Sequence, residues 1–115
     1  LDNAKLLHEA GVRIAFSIGD GHMARKNRQL AGNAVAHGLP WEAGLAAITS
    51  SPAAIFGIGA DHGRIEKGQS ADLVLWSGDP LEVTTVGSLL LSCTTSLSWC
   101  LVPPTSTPRI ANAGK

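Results

Sequence analysis

Gly57 divides the chain into two kinds of sequence, and that division constrains the fold more than any other feature. Before it, helix-forming segments end on glycines; after it, Gly59, Gly63 and Gly68 punctuate short stretches that suit turns and strands. Asp2 can cap a first helix whose Leu6, Leu7 and Ala10 share a face, and Gly11 supplies the left-handed conformation that ends it. Val12, Ile14 and Phe16 then alternate with Arg13, Ala15 and Ser17, which is the period of a mostly buried strand. Gly19-Asp20-Gly21 breaks that run, and a helix from about Met23 to His37 follows until Gly38 and Pro40 stop it. Pro40 suits the first position of a third helix with Trp41, Leu45 and Ile48 at helical spacing, and Ser51-Pro52 repeats the start signal for a brief fourth. Ala71 to Trp76 forms a compact strand closed by the turn Gly78-Asp79-Pro80.

The order of these segments is helix, strand, polar loop, several helices and then a small β-rich unit. It predicts an α/β chain: the last βα unit of a TIM-type barrel, followed by part of a small flanking β domain. At 115 residues the chain is one domain at most and well short of the roughly 250 residues of a complete barrel. Nine basic residues balance nine acidic ones, so no net field favours nucleic acid or an anionic membrane. Cys93 and Cys100 lack metal-ligand spacing and read as free thiols. The acidic, helical start LDNAKLLHEAG is unlike a signal peptide, which makes a cytoplasmic location the default expectation. Leu1 is not a methionine, however, and this leaves open a start inside a longer protein. From Val83 to Pro108 there is no charged residue, and Ser and Thr are frequent. With six Ser or Thr between Val86 and Val102, that stretch falls short of a membrane span and reads as a divergent, disordered tail over 87–115.

The most informative pattern is Gly63-x-Ile65-x-x-Gly68-x-x-Ala71-Asp72-Leu73-Val74-x-Trp76, followed by Gly78-Asp79-Pro80-Leu81. Upstream, in order, stand Gly11-Val12-x-Ile14-Ala15, Asp20, Ala31-Gly32-x-Ala34-Val35, Gly38-Leu39 and Ala46-Ala47-x-Thr49-x-x-Pro52-Ala53. This series resembles the C-terminal region of the amidohydrolase superfamily, in particular its imidazolonepropionase-like branch. The resemblance covers about three quarters of the chain, and an ordered series of short motifs is more specific than any one of them. It implies that residues 1–57 belong to the end of the barrel and 58–86 to the small composite β-sandwich domain. It is expected to stop after Val86.

By that resemblance, Asp20 is the aspartate that ends the last barrel strand, where it ligates the metal and takes a proton from the attacking water. Its position just past the C-terminal end of a strand is where barrel enzymes place their chemistry. A metal lowers the pKa of bound water toward about 7, and a neighbouring carboxylate can carry the released proton to the leaving nitrogen. The competing reading is that Asp20 caps the helix opening near Met23. The implied cofactor is a divalent metal, zinc first among candidates, and the implied substrate of the complete enzyme is a small-molecule amide or cyclic amide. Homo-oligomerisation is left open.

The remaining candidates read as structural. Asp72 ties a strand end or turn, Gly68 takes a turn conformation, and Trp41 and Trp76 serve core or interface rather than a substrate platform. His22 reads as a solvated loop residue, and neither H-x-H nor H-E-x-x-H occurs. Gly57-Ile58-Gly59 begins like a dinucleotide loop, but His62 stands where the third glycine belongs, and no G-x-S-x-G elbow is present. A catalytic zinc needs three protein ligands, so one aspartate leaves the isolated chain inactive by this reading. The rival function class is a non-catalytic remnant or small interaction module that keeps the β motifs without chemistry.

Overall fold

The computed structural model describes residues 2–19, 21–92 and 100–102. Helix α1 (Asn3–Glu9) is followed by an irregular stretch, a 3-10 helix (Gly21–Lys26) that runs directly into α2 (Asn27–Ala36), and two short helices, α3 (Trp41–Ala46) and α4 (Ser50–Ile55). Strands β1 (Leu73–Trp76), β2 (Gly87–Ser92) and β3 (Cys100–Val102) form one antiparallel sheet in the order β1-β2-β3. No helix among the described residues is long and apolar enough to cross a membrane.

The three glycine stops work by one mechanism. Gly11, Gly38 and Gly57 have φ of 76, 95 and 76°, a region that L side chains rarely occupy. In each case the glycine N–H and the N–H after it turn back onto the last helical carbonyls. Gly11 reaches His8 and Val12 reaches Leu7, each at 2.9 Å. Gly38 reaches Val35 at 2.9 Å and Leu39 reaches Ala34 at 3.0 Å; Gly57 reaches Ala54 at 3.3 Å and Ile58 reaches Ala53 at 2.9 Å. These paired bonds satisfy carbonyls that a helix end otherwise leaves open. The helix starts are less well served, since Asp2, at the N-cap of α1, makes no side-chain cap bond and neither does any other N-cap.

Two expectations are corrected. Val12 to Ser17 forms no β-ladder; its one backbone bond to a distant residue runs from the Phe16 N–H to the Ala47 carbonyl at 3.0 Å. An alternating pattern makes a strand only when a neighbour completes the hydrogen bonding, and no described strand pairs with it. Gly87–Ser92, assigned to the disordered tail, is instead the central strand. Leu91, Leu90 and Leu89 pair with Leu73, Val74 and Leu75, and an irregularity then sets Gly87 opposite Trp76. An uncharged run of leucines suits a sheet whose partner strand is equally apolar.

The core is small and built from small side chains: Ala31, Leu39, Ala47, Ala53 and Leu81 are buried. Gly32 of α2 and Gly44 of α3 meet Leu81 from the far part of the chain, so the helical and β parts share this core. A Cβ placed on Gly32 would overlap the Leu81 carbonyl oxygen and lie 3.4 Å from its carbon. A Cβ on Gly44 of α3 would come within 2.6 Å of Val35 and 3.4 Å of the Leu81 side chain. Large apolar groups lie outside: Phe56 is 78% exposed, Ile65 86% and Leu75 61%.

Candidate functional site

Two features of the fold bring chemically capable side chains together: a joint between α2 and the turn after β1, and a groove beside it. The joint starts from residues one helical turn apart on α2. Arg28 and Gly32 lie one turn apart on one face of the helix, and both meet residues 80–85. The Arg28 Nη1 donates to the carbonyl oxygens of Pro80 at 3.3 Å and Glu82 at 3.2 Å and to the Thr85 hydroxyl at 3.1 Å. Its guanidinium also lies over the Trp76 ring, 4.6 Å from the centroid. A planar guanidinium can donate in its plane and stack on its face, which an ammonium cannot do.

The turn that receives Arg28 is organised by Asp79. One carboxylate oxygen accepts the Leu81 N–H at 2.8 Å, and the carboxylate accepts the Trp41 indole N–H at 3.1 and 2.9 Å. The Thr85 hydroxyl closes the loop on the Asp79 carbonyl oxygen at 2.6 Å. Trp41 and Trp76 thus sit at the contact between the helices and the β part, one as a donor and one as a stacking surface. Trp41 remains 38% exposed.

The groove, about 880 Å³ in volume, runs between α3, α4 and β1, and its lining is mainly apolar, including Leu45, Ile48, Phe56 and Val74. Arg28 and Trp76 stand along it, as do His62, Arg64, Ser70 and Asp72. The Ser70 hydroxyl donates to Asp72 Oδ2 at 2.9 Å, and His62 Nδ1 lies 3.6 Å from the same oxygen. Asp72 therefore ties the loop to the start of β1. The loop closes on itself elsewhere too, through the Ser70 N–H to the Asp61 carbonyl at 2.7 Å and through Gln69 to Gly59 at 3.4 Å and Arg64 at 3.2 Å. Gly63, at φ 93°, passes so near α4 that a Cβ would meet Ala53 at 2.8 Å and the Thr49 carbonyl at 3.0 Å. Gly68 has φ 95°, the turn conformation expected of it.

Sequence reasoning paired His62 with nothing. Its partner lies ten residues on, across a loop with two left-handed glycines, and no local spacing signals that encounter. Asp20, the expected ligand and base, lies outside the described residues, and so does the His22 side chain. Among the described residues no three His, Cys, Asp or Glu side chains come together as a metal would require. The donor set among the described residues does not fit a catalytic metal.

A joint of Gly32, Gly44 and Leu81, with the Gly63-to-Leu81 signature folded into a loop, strand and turn against the helices, defines a structural class. The chain belongs to the amidohydrolase family, whose model matches residues 1–106. That match runs past Val86, where the resemblance was expected to stop, and takes in β2 and β3. The chain is also similar to amidohydrolase tasK of Hapsidospora irregularis, at 47% identity over 47 residues, which is 41% of this chain and 5% of the relative. Its structure resembles the crystal structure of an amidohydrolase from Thermotoga maritima MSB8 with a TM-score of 0.72 and 31% identity. That superposition covers 77% of this chain and 24% of the other. The chain thus spans only a small part of the length of either protein.

Proposed function

We propose that the chain is the C-terminal part of a metal-dependent hydrolase acting on carbon-nitrogen bonds other than peptide bonds, with a small amide or cyclic amide as substrate. The observation that carries this reading is the family match over residues 1–106, set beside a superposition that uses about a quarter of the other chain. The exposed apolar residues of α4, β1 and the loop between them support it, because a self-contained domain seldom leaves such surface uncovered. In this reading residues 1–57 close a barrel, residues 58–86 begin the flanking β unit, and the ladder-less segment from Val12 to Ser17 finds its partners in the preceding barrel strands. Asp20 is the carboxylate this chain brings to the metal, with zinc the first candidate, and the other ligands come from the rest of the barrel.

The test is the coding sequence upstream of Leu1 together with the activity of its product. An upstream barrel bearing an H-x-H motif is expected, and hydrolysis of cyclic amides by the complete protein should fall on chelation and return with zinc. An upstream sequence with no barrel, or turnover indifferent to chelators, would overturn the proposal.

A further inference from the structure

We infer that Arg28 is a positioning residue, which through α2 fixes the connection entering that helix. This inference rests on the reading above, which places the catalytic carboxylate at position 20, immediately before the connection. The start of α2, which continues the 3-10 helix, has no N-cap side chain to fix it. Its N-cap, Lys26, makes no side-chain cap bond, and its first turn contains no acidic residue to meet the helix dipole. Asn27, the first residue of α2, has a buried Oδ1 with no hydrogen-bond partner among the described residues. The second residue is Arg28, and it carries the tertiary anchoring.

The three acceptors and the stacking surface that hold Arg28 lie more than forty residues away: Pro80, Glu82, Thr85 and the Trp76 ring. One turn further along, Gly32 lets the helix backbone approach the Leu81 carbonyl. Two anchors on one face, at positions i and i+4, fix both the rotation and the axial position of α2. The 3-10 helix Gly21–Lys26 is continuous with α2, so its placement follows. Arg28 lines the groove, but its Nη1 is given to protein oxygens and its guanidinium lies over Trp76, so its described contacts are structural. Its action on the site runs through the helix.

Native-state amide exchange on the complete protein tests this without any catalytic readout. Arg28→Ala should speed exchange of the amides in 21–26 by at least about tenfold relative to those of α3, with the turn 79–85 loosened as well. Arg28→Lys keeps the charge but loses the planar fork and should resemble Ala, while Thr85→Val removes one acceptor and should give a smaller change in the same segment. If Arg28→Ala does not fold, the Lys and Val variants decide the question. Faster exchange confined to 79–85, or a uniform increase throughout the chain, would overturn the inference. In the complete enzyme, Arg28→Lys should lower kcat and hold KM within about twofold, whereas a change in KM alone would make Arg28 a groove contact and overturn the assignment. Exchange does not depend on hydrolysis, so failure of the Asp20 reading and failure of the Arg28 inference give different results.

Discussion

Gly32→Ala is the sharpest test of the joint between α2 and Leu81, because two well-understood effects oppose each other there. Gly32 lies within α2, where replacing glycine with alanine ordinarily stabilises a helix by about 1 kcal/mol. At this position, however, the new methyl would overlap the Leu81 carbonyl oxygen and lie 3.4 Å from the carbonyl carbon. The obstacle is backbone, not the flexible end of a side chain, and its turn is held by Asp79, Thr85 and Arg28. Overpacking of this kind costs about 1–3 kcal/mol, more than the propensity gain in most of that range. Subtracting the gain leaves a net loss of about 1 kcal/mol, and of at most about 2, so the variant should unfold at lower denaturant concentration with an unchanged m-value. Gly21→Ala is the internal control, since nothing lies within 4 Å of a Cβ there. It should be neutral or slightly stabilising. Chemical unfolding followed by circular dichroism compares the two, and a Gly32→Ala chain as stable as wild type would refute the close approach of α2 to Leu81.

Leu81→Ala removes the one large side chain of the shared core that comes from the β part, and it should cost about 2–4 kcal/mol in the same unfolding assay. A loss below about 1 kcal/mol would mean that Leu81 is not packed as described. Asp20→Asn in the complete enzyme keeps size and capping ability while losing the negative charge, so turnover should fall about a hundredfold or more if the residue is ligand and base. Near-normal turnover would return Asp20 to the role of a helix cap. The isolated 115-residue chain should bind zinc no better than about millimolar in calorimetry, because so few ligands leave the metal mostly hydrated; micromolar binding would contradict this.

What could be read from the sequence follows the range of the interactions involved. Gly11, Gly38 and Gly57 could be located as helix stops because a left-handed residue is a local requirement, and the backbone bonds it completes reach back only a few positions. The start of α4 was read less well. Pro52 lies at its third residue, not its first, and is tolerated there because the N–H groups of a first turn have no intrahelical partners in any case. Strands fared worse, since pairing depends on what lies alongside. Val12 to Ser17 has the right alternation but forms no ladder, and Gly87–Ser92 has an uninformative composition but a partner in β1. The ten residues between β1 and β2 form their own hydrogen-bonded turn, so no two-residue hairpin signal announces the pairing. Arg28 was invisible for the same reason: its acceptors lie 52 to 57 residues away, and three of the groups it touches are backbone oxygens or an aromatic face.

The close approach of backbones at Gly32 and Gly63 also shapes how this sequence can drift. At an ordinary core position a large side chain can shrink, and a neighbour can grow to compensate. Here the side chains are already absent and two of the nearest obstacles are carbonyl oxygens, which cannot be mutated away. A saturation library would show these positions as isolated columns accepting one residue, set among surface positions such as Ile65 that accept many. Compensation would have to come from moving α2 or the 59–72 loop as a whole, and no single substitution does that. The joint is thus inherited intact or lost in one step, with no graded series of weaker intermediates between the two.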